Sequence, residues 1–73
     1  MSPRLPVLQA NELIHLLEAH GFERVGQKGF HVKMRSQDGV TIIVTVHAGR
    51  NIKPGLLLAI LNKAGIDTSA LRR

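Results

Sequence analysis

From Phe30 to Arg35 the chain alternates: Phe30, Val32 and Met34 are apolar, while His31, Lys33 and Arg35 are polar or cationic. Successive side chains of a strand point to opposite faces. The stretch therefore predicts a strand with one face on a core and the other presenting a histidine and two cations to water. Histidine can move protons near neutral pH, and cations can hold phosphate. The plainer alternative is a solvated strand face with an incidental histidine.

The flanking segments supply the cover. Leu13, Leu16, Leu17 and His20 recur at helical spacing, with Ala10 and Ile14 beside them, and predict a helix over Ala10–His20. Gly21 follows as its stop. His20 falls in the last turn, where its side chain can reach free carbonyls; it reads as structural, and His15, on the opposite face, as plain solvent. Phe22–Gln27 is a weak strand with Val25 as its clearest inward residue. Lys28-Gly29 makes the turn into the central strand.

The next turn, Ser36-Gln37-Asp38-Gly39, decides the register. A two-residue loop would put the cations on the same face as Ile42, Val44 and Val46. Register fixes which face is buried, so the pattern predicts a three-residue loop with Gly39 left-handed in a bulge. Phe30, Val32 and Met34 then share the core face with Val46, Val44 and Ile42. On the other face His31 lies opposite Thr45, Lys33 opposite Ile43 and Arg35 opposite Thr41, with His47 diagonal to His31. After the loop from His47 to Ile52, Lys53-Pro54-Gly55 opens a second helix with Pro54 near its first position. Leu57, Ile60, Leu61 and Ala64 form its inward stripe, Leu56 and Leu58 its semi-exposed flank, and Gly65 its end.

The expected fold is α+β in the order α-β-β-β-α: a three-stranded antiparallel sheet with two helices on one face. Residues 1–8, with Pro3 and Pro6, are expected to form a flexible arm, residues 9–66 a single domain, and residues 67–73 a short tail. Met1 to Ala10 lack a basic segment followed by an apolar run, so no export signal is expected. No apolar stretch is long enough for a bilayer, and cysteine is absent, which fits the cytoplasm.

Ten Lys and Arg stand against five Asp and Glu, and the excess is central: Arg24, Lys28, Lys33, Arg35, Arg50 and Lys53 face only Asp38 between positions 24 and 53. Such a segment favours a polyanion or an acidic protein as partner. Trp and Tyr are absent and both Phe residues read as core, so base stacking on aromatic platforms is not expected. The four histidines are split between elements, and no acid sits beside His31 or His47, so neither a metal site nor a cofactor is expected. Paired carboxylates and a phosphate loop of the Walker type are also missing. What is left, a histidine on a cationic strand face, suits metal-free RNA cleavage. The histidine takes the proton of a ribose 2′-OH, the oxygen attacks the adjacent phosphorus, and the cations stabilise charge on the phosphoryl oxygens. DNA, lacking that hydroxyl, would be bound and not cut.

An ordered set of short pieces carries a family resemblance. The pieces are Glu12-Leu13-Ile14 with Leu16-Leu17 and Gly21-Phe22, then Gln27-Lys28-Gly29-Phe30-His31, then His47-Ala48-Gly49, and Ile52-Lys53-Pro54-Gly55 through Ile60-Leu61 to Ala64-Gly65-Ile66. Over about Glu12–Ile66 the chain resembles the HicA family, the small RNase toxins of type II toxin–antitoxin pairs. The resemblance implies a double-stranded-RNA-binding-like (dsRBD-like) fold, an endoribonuclease (mRNA interferase) activity with His31 as the catalytic histidine, and inhibition by a HicB-family antitoxin. The chain departs from the family in having Phe30 where Ser is usual, Gly26 where Arg is common, and Leu56, Leu57 and Leu58 where Thr and basic residues often open the second helix.

The candidate catalytic residue is thus His31, and the candidate RNA contacts are Lys28, Gly29, Lys33, Arg35, His47, Arg50 and Lys53. Ile43, Leu56 and Leu58 are candidate contacts for a protein partner. Two other readings stay open: a non-catalytic RNA-binding module with His31 as bystander, and a degenerate toxin acting mainly through its apolar partner contacts.

Overall fold

The computed structural model describes residues 7–71. In chain order it contains α1 (Ala10–Ala19), β1 (Phe22–Lys28), β2 (His31–Ser36), β3 (Thr41–Thr45), α2 (Pro54–Ala64) and a 3₁₀ turn (Thr68–Leu71). The strands form one antiparallel sheet in the order β1-β2-β3. Phe22, Val32, Met34, Ile42 and Val44 are buried from the sheet, against Leu13, Ile14 and Leu17 of α1 and Leu57, Ile60 and Leu61 of α2. The fold is the expected α+β arrangement, with both helices on one face. Burial of a side chain of this kind contributes about 1.5–3 kcal/mol, and this single layer of contacts is the domain's main support.

The β2–β3 register is the one the burial pattern demands. His31 pairs with Thr45, Val32 with Val44, Lys33 with Ile43, Met34 with Ile42 and Arg35 with Thr41. The Ser36 and Gly39 backbones close the loop, Gly39 N donating to Ser36 O at 3.0 Å. Gly39 lies at φ +87, the left-handed conformation that a three-residue hairpin loop with a bulge requires. A further hold is Val40 N donating to Ser36 Oγ at 3.1 Å.

Three local expectations are corrected. In α1 the inward stripe is centred on Ala10, Leu13, Ile14 and Leu17, spaced i, i+3, i+4, i+7; Leu16 lies on the flank and His20 is exposed. His20 Nδ1–H donates to Leu16 O at 2.9 Å, the structural role expected of it. In β1, Val25 is not inward: it is 48% exposed. The register slips between Arg24 and Gly26, so Val25 is the extra residue of a β-bulge, which breaks the alternation.

The third correction concerns Phe30, expected in the core and found 71% exposed. Lys28 pairs with His31, so Gly29 and Phe30 are the whole hairpin loop. Gly29, at φ +58, takes the first central position, which a type II′ turn requires at positive φ. Phe30 is the second. Its carbonyl still accepts Val46 N at 2.7 Å, but the alternation of faces starts only at His31, so its ring is not directed by the pleat.

In α2, Pro54 occupies the first turn and Gly65 ends the helix in a left-handed conformation. Of the arm expected at residues 1–8, the first six lie outside the described residues. Leu8 packs partly against the core, and its carbonyl accepts Ile52 N at 2.8 Å.

Candidate nucleic-acid interface

The uncovered face of the sheet is set by the pleat. Residues alternating with Val32 and Met34 must point away from the helices, and His31, Lys33 and Arg35 are all exposed there. Directly opposite pairs share a face, so β1 adds Lys28 beside His31, Gly26 beside Lys33 and Glu23 beside Arg35. From β3 come Thr45, Ile43 and Thr41. His31 is thus flanked across the strands by Lys28 on one side and Thr45 on the other. Its Nδ1 is hydrogen-bonded to Thr45 Oγ1 at 3.0 Å. That bond restricts the ring and leaves Nε2 as the nitrogen available to a ligand.

The remaining candidates lie off the sheet. His47, Arg50 and Lys53 belong to the connection between β3 and α2, which turns through Arg50 N donating to His47 O at 3.0 Å. They border a groove of about 430 Å³ between the start of α1 and the start of α2, together with Thr45, Asn51 and Leu56. Thr45 belongs to both places: its hydroxyl holds His31, and it lines the groove. A strand of nucleic acid crossing His31 would meet one cationic zone on β1 and β2 and a second at Arg50 and Lys53.

The apolar candidates do not gather into one patch. Ile43 is 51% exposed on the open face between the cations, and Leu56 is 56% exposed at the groove. Leu58 instead borders a depression with Gly65 and Ile66, at the other end of α2. Among the described residues, no group of three or more His, Asp or Glu side chains is placed to hold a metal ion, and no helix is long and apolar enough to cross a membrane.

Three residues of this surface escape sequence reasoning. Thr45 is legible as the neighbour of His31 but not as its hydrogen-bond partner. Glu23 is an acid on an otherwise basic face. Phe30 stands exposed next to His31, and the signal for it was Gly29, since a two-residue loop beginning there forces Phe30 out of the strand.

A family model described as the HicA toxin of bacterial toxin–antitoxin systems matches residues 10–66. No curated protein matches the chain.

Proposed function

The chain belongs to the HicA toxin family, the toxin half of toxin–antitoxin pairs, and from that premise we propose that it is a metal-independent endoribonuclease acting on messenger RNA in the cytoplasm, with His31 as its proton-transfer group. The observation that carries the reading is the exposed His31, its ring held by Thr45 and its flanks occupied by Lys28 and Lys33.

The chemistry follows from the donor set. In the tautomer whose Nδ1–H donates to Thr45 Oγ1, Nε2 is free to take the proton of a ribose 2′-OH. The oxygen attacks the adjacent phosphorus, the bond to the 5′-oxygen breaks, and that oxygen takes a proton from water or from the imidazolium just formed, leaving a 2′,3′-cyclic phosphate and a free 5′-OH. Lys28 and Lys33 neutralise charge that grows on the phosphoryl oxygens, and Arg35 holds the backbone farther along the strand. Gly29 allows the phosphate close to the backbone of the hairpin. General acid–base help contributes about 10²–10⁴-fold, so one histidine supports a slow nuclease. Single-stranded RNA incubated with the chain in EDTA should yield cyclic-phosphate ends. Binding with no cleavage would instead make it a non-catalytic RNA-binding module.

Affinity is electrostatic in this reading and spread over Lys28, Lys33, Arg35, Arg50 and Lys53. Replacing Lys33 and Arg35 together should weaken binding to all sequences alike. The slope of log K against log salt should fall by about 0.7–0.9 for each phosphate that is no longer neutralised. A weakening confined to one base context would show that these side chains read bases.

The protein partner is a HicB-family antitoxin that masks the open face. An acidic surface is steered to the cations, and Ile43 and Leu56 give it apolar anchors beside them, with Leu58 further along α2. Hydrogen exchange on the complex should show protection of β2 and of the start of α2. Protection confined to other segments would rule out masking.

A further inference from the structure

The exposed ring of Phe30 has no role in the fold, and its surroundings suit one ligand. At 71% exposure it is the most open of the large apolar side chains among the described residues. It stands at the tip of the β1–β2 hairpin, one residue before His31. On its other side it borders a depression of about 350 Å³ shared with Val46, His47 and Arg50. Arg50 also lines the larger groove that begins at Thr45. The ring is therefore an apolar plate at the edge of that depression, beside His47 and Arg50, with His31 the next residue of the chain.

We propose that Phe30 is a stacking platform for an unpaired nucleobase next to the phosphate at His31, with Arg50 holding the backbone of the same nucleotide. The inference rests on the reading of the open face as an RNA surface and adds a substrate class to it: RNA with an unpaired base at the cut. An aromatic face accepts any base, because every base has a π-face. A paired base is already stacked in its helix and has no face to offer. The cation beside the ring favours a phosphate-linked base over an apolar peptide anchor, because a protein side chain packed there would leave Arg50 without the charge complement that a phosphate supplies with each base.

The absence of Trp and Tyr makes the test clean, since Phe30→Trp places a single fluorophore at the platform. A single-stranded DNA oligonucleotide serves as ligand, because it lacks the 2′-OH and binding is then read without cleavage. Tryptophan fluorescence should be quenched on binding. Phe30→Ala should lose about 5- to 150-fold in affinity, the range for one stacked base, with the salt slope unchanged because every phosphate keeps its cation. Duplex DNA of the same length should bind the wild type and Phe30→Ala equally. Wild-type affinity of Phe30→Ala, a weakening seen only as a changed salt slope, or an unquenched Phe30→Trp would each overturn the proposal. So would a Phe30→Ala protein that binds the oligonucleotide normally and fails only toward an antitoxin, since the ring would then be a protein anchor. Quenching with no RNA cleavage by the wild type would support the platform and refute the nuclease reading; cleavage by a chain whose Phe30→Ala variant binds normally would do the reverse.

Discussion

His31→Ala should lower RNA cleavage by about 10²–10⁴-fold, the share that a positioned acid–base group supplies, and leave the fold intact. His31 is exposed on the open face, and exposed substitutions usually change stability by about 0.5 kcal/mol or less. RNA affinity should fall only slightly, because the lysines and arginines proposed to hold the backbone are unchanged. Thr45→Val is the informative intermediate. It keeps the shape of the side chain and removes the hydroxyl bonded to Nδ1. One hydrogen bond is worth about 0.5–1.5 kcal/mol, so the maximal rate should drop up to about tenfold with KM little changed, and Thr45→Ser should restore much of it. His47→Ala should be milder than His31→Ala, since His47 belongs to the loop and not to the strand face. Single-turnover rates in EDTA decide the matter. If His31→Ala cuts RNA as fast as wild type, the proton-transfer group lies elsewhere, and His47 is the next residue to replace.

The sheet was the most legible part of the chain because two constraints agreed there. Alternation in 31–35 and in 41–45 fixed which residues face inward, and only a three-residue loop with Gly39 left-handed satisfied both at once. The same alternation failed at its ends. Phe30 matched the apolar pattern but falls in the hairpin loop, where period two has no meaning. Val25 matched it too, and a bulge displaced it; Gly26 inside the strand was the available signal, since glycine there often marks a bulge. In α1 the spacing fixed the helix but not the centre of its stripe, because Leu16 and Ile14 both fit a wide apolar face. As for the site, the sequence could place His31 beside Thr45 by register, but no pattern of residue types says that a hydroxyl and an imidazole will be 3.0 Å apart. The grouping of His47, Arg50 and Lys53 around the groove was equally hidden, since it depends on how the loop after β3 folds back toward α1.

Met34→Ala should cost about 2–5 kcal/mol of stability, the range for truncating a buried Met, Leu or Ile. Met34 is 0% exposed in the central strand, paired with Ile42 on one side and Arg24 on the other. Domains of this kind have roughly 0.05–0.15 kcal/mol per residue, or about 4–11 kcal/mol for 73 residues, so one truncation removes a large share. Denaturant unfolding should show a lower midpoint with an unchanged slope, the mark of reduced stability without a change in the unfolding surface. A cost below about 1 kcal/mol would mean that neighbouring side chains close the gap and that the sheet–helix layer is more pliable than its packing indicates. The experiment also separates two ways of losing function. Met34 alternates with Lys33 and Arg35 on one strand, so the residues that hold the core and the residues proposed to meet RNA are spaced by the same backbone. A Met34→Ala protein should therefore lose activity in step with its folded fraction and regain it when cooled or stabilised by ligand. His31→Ala should stay folded and equally slowed under every such condition.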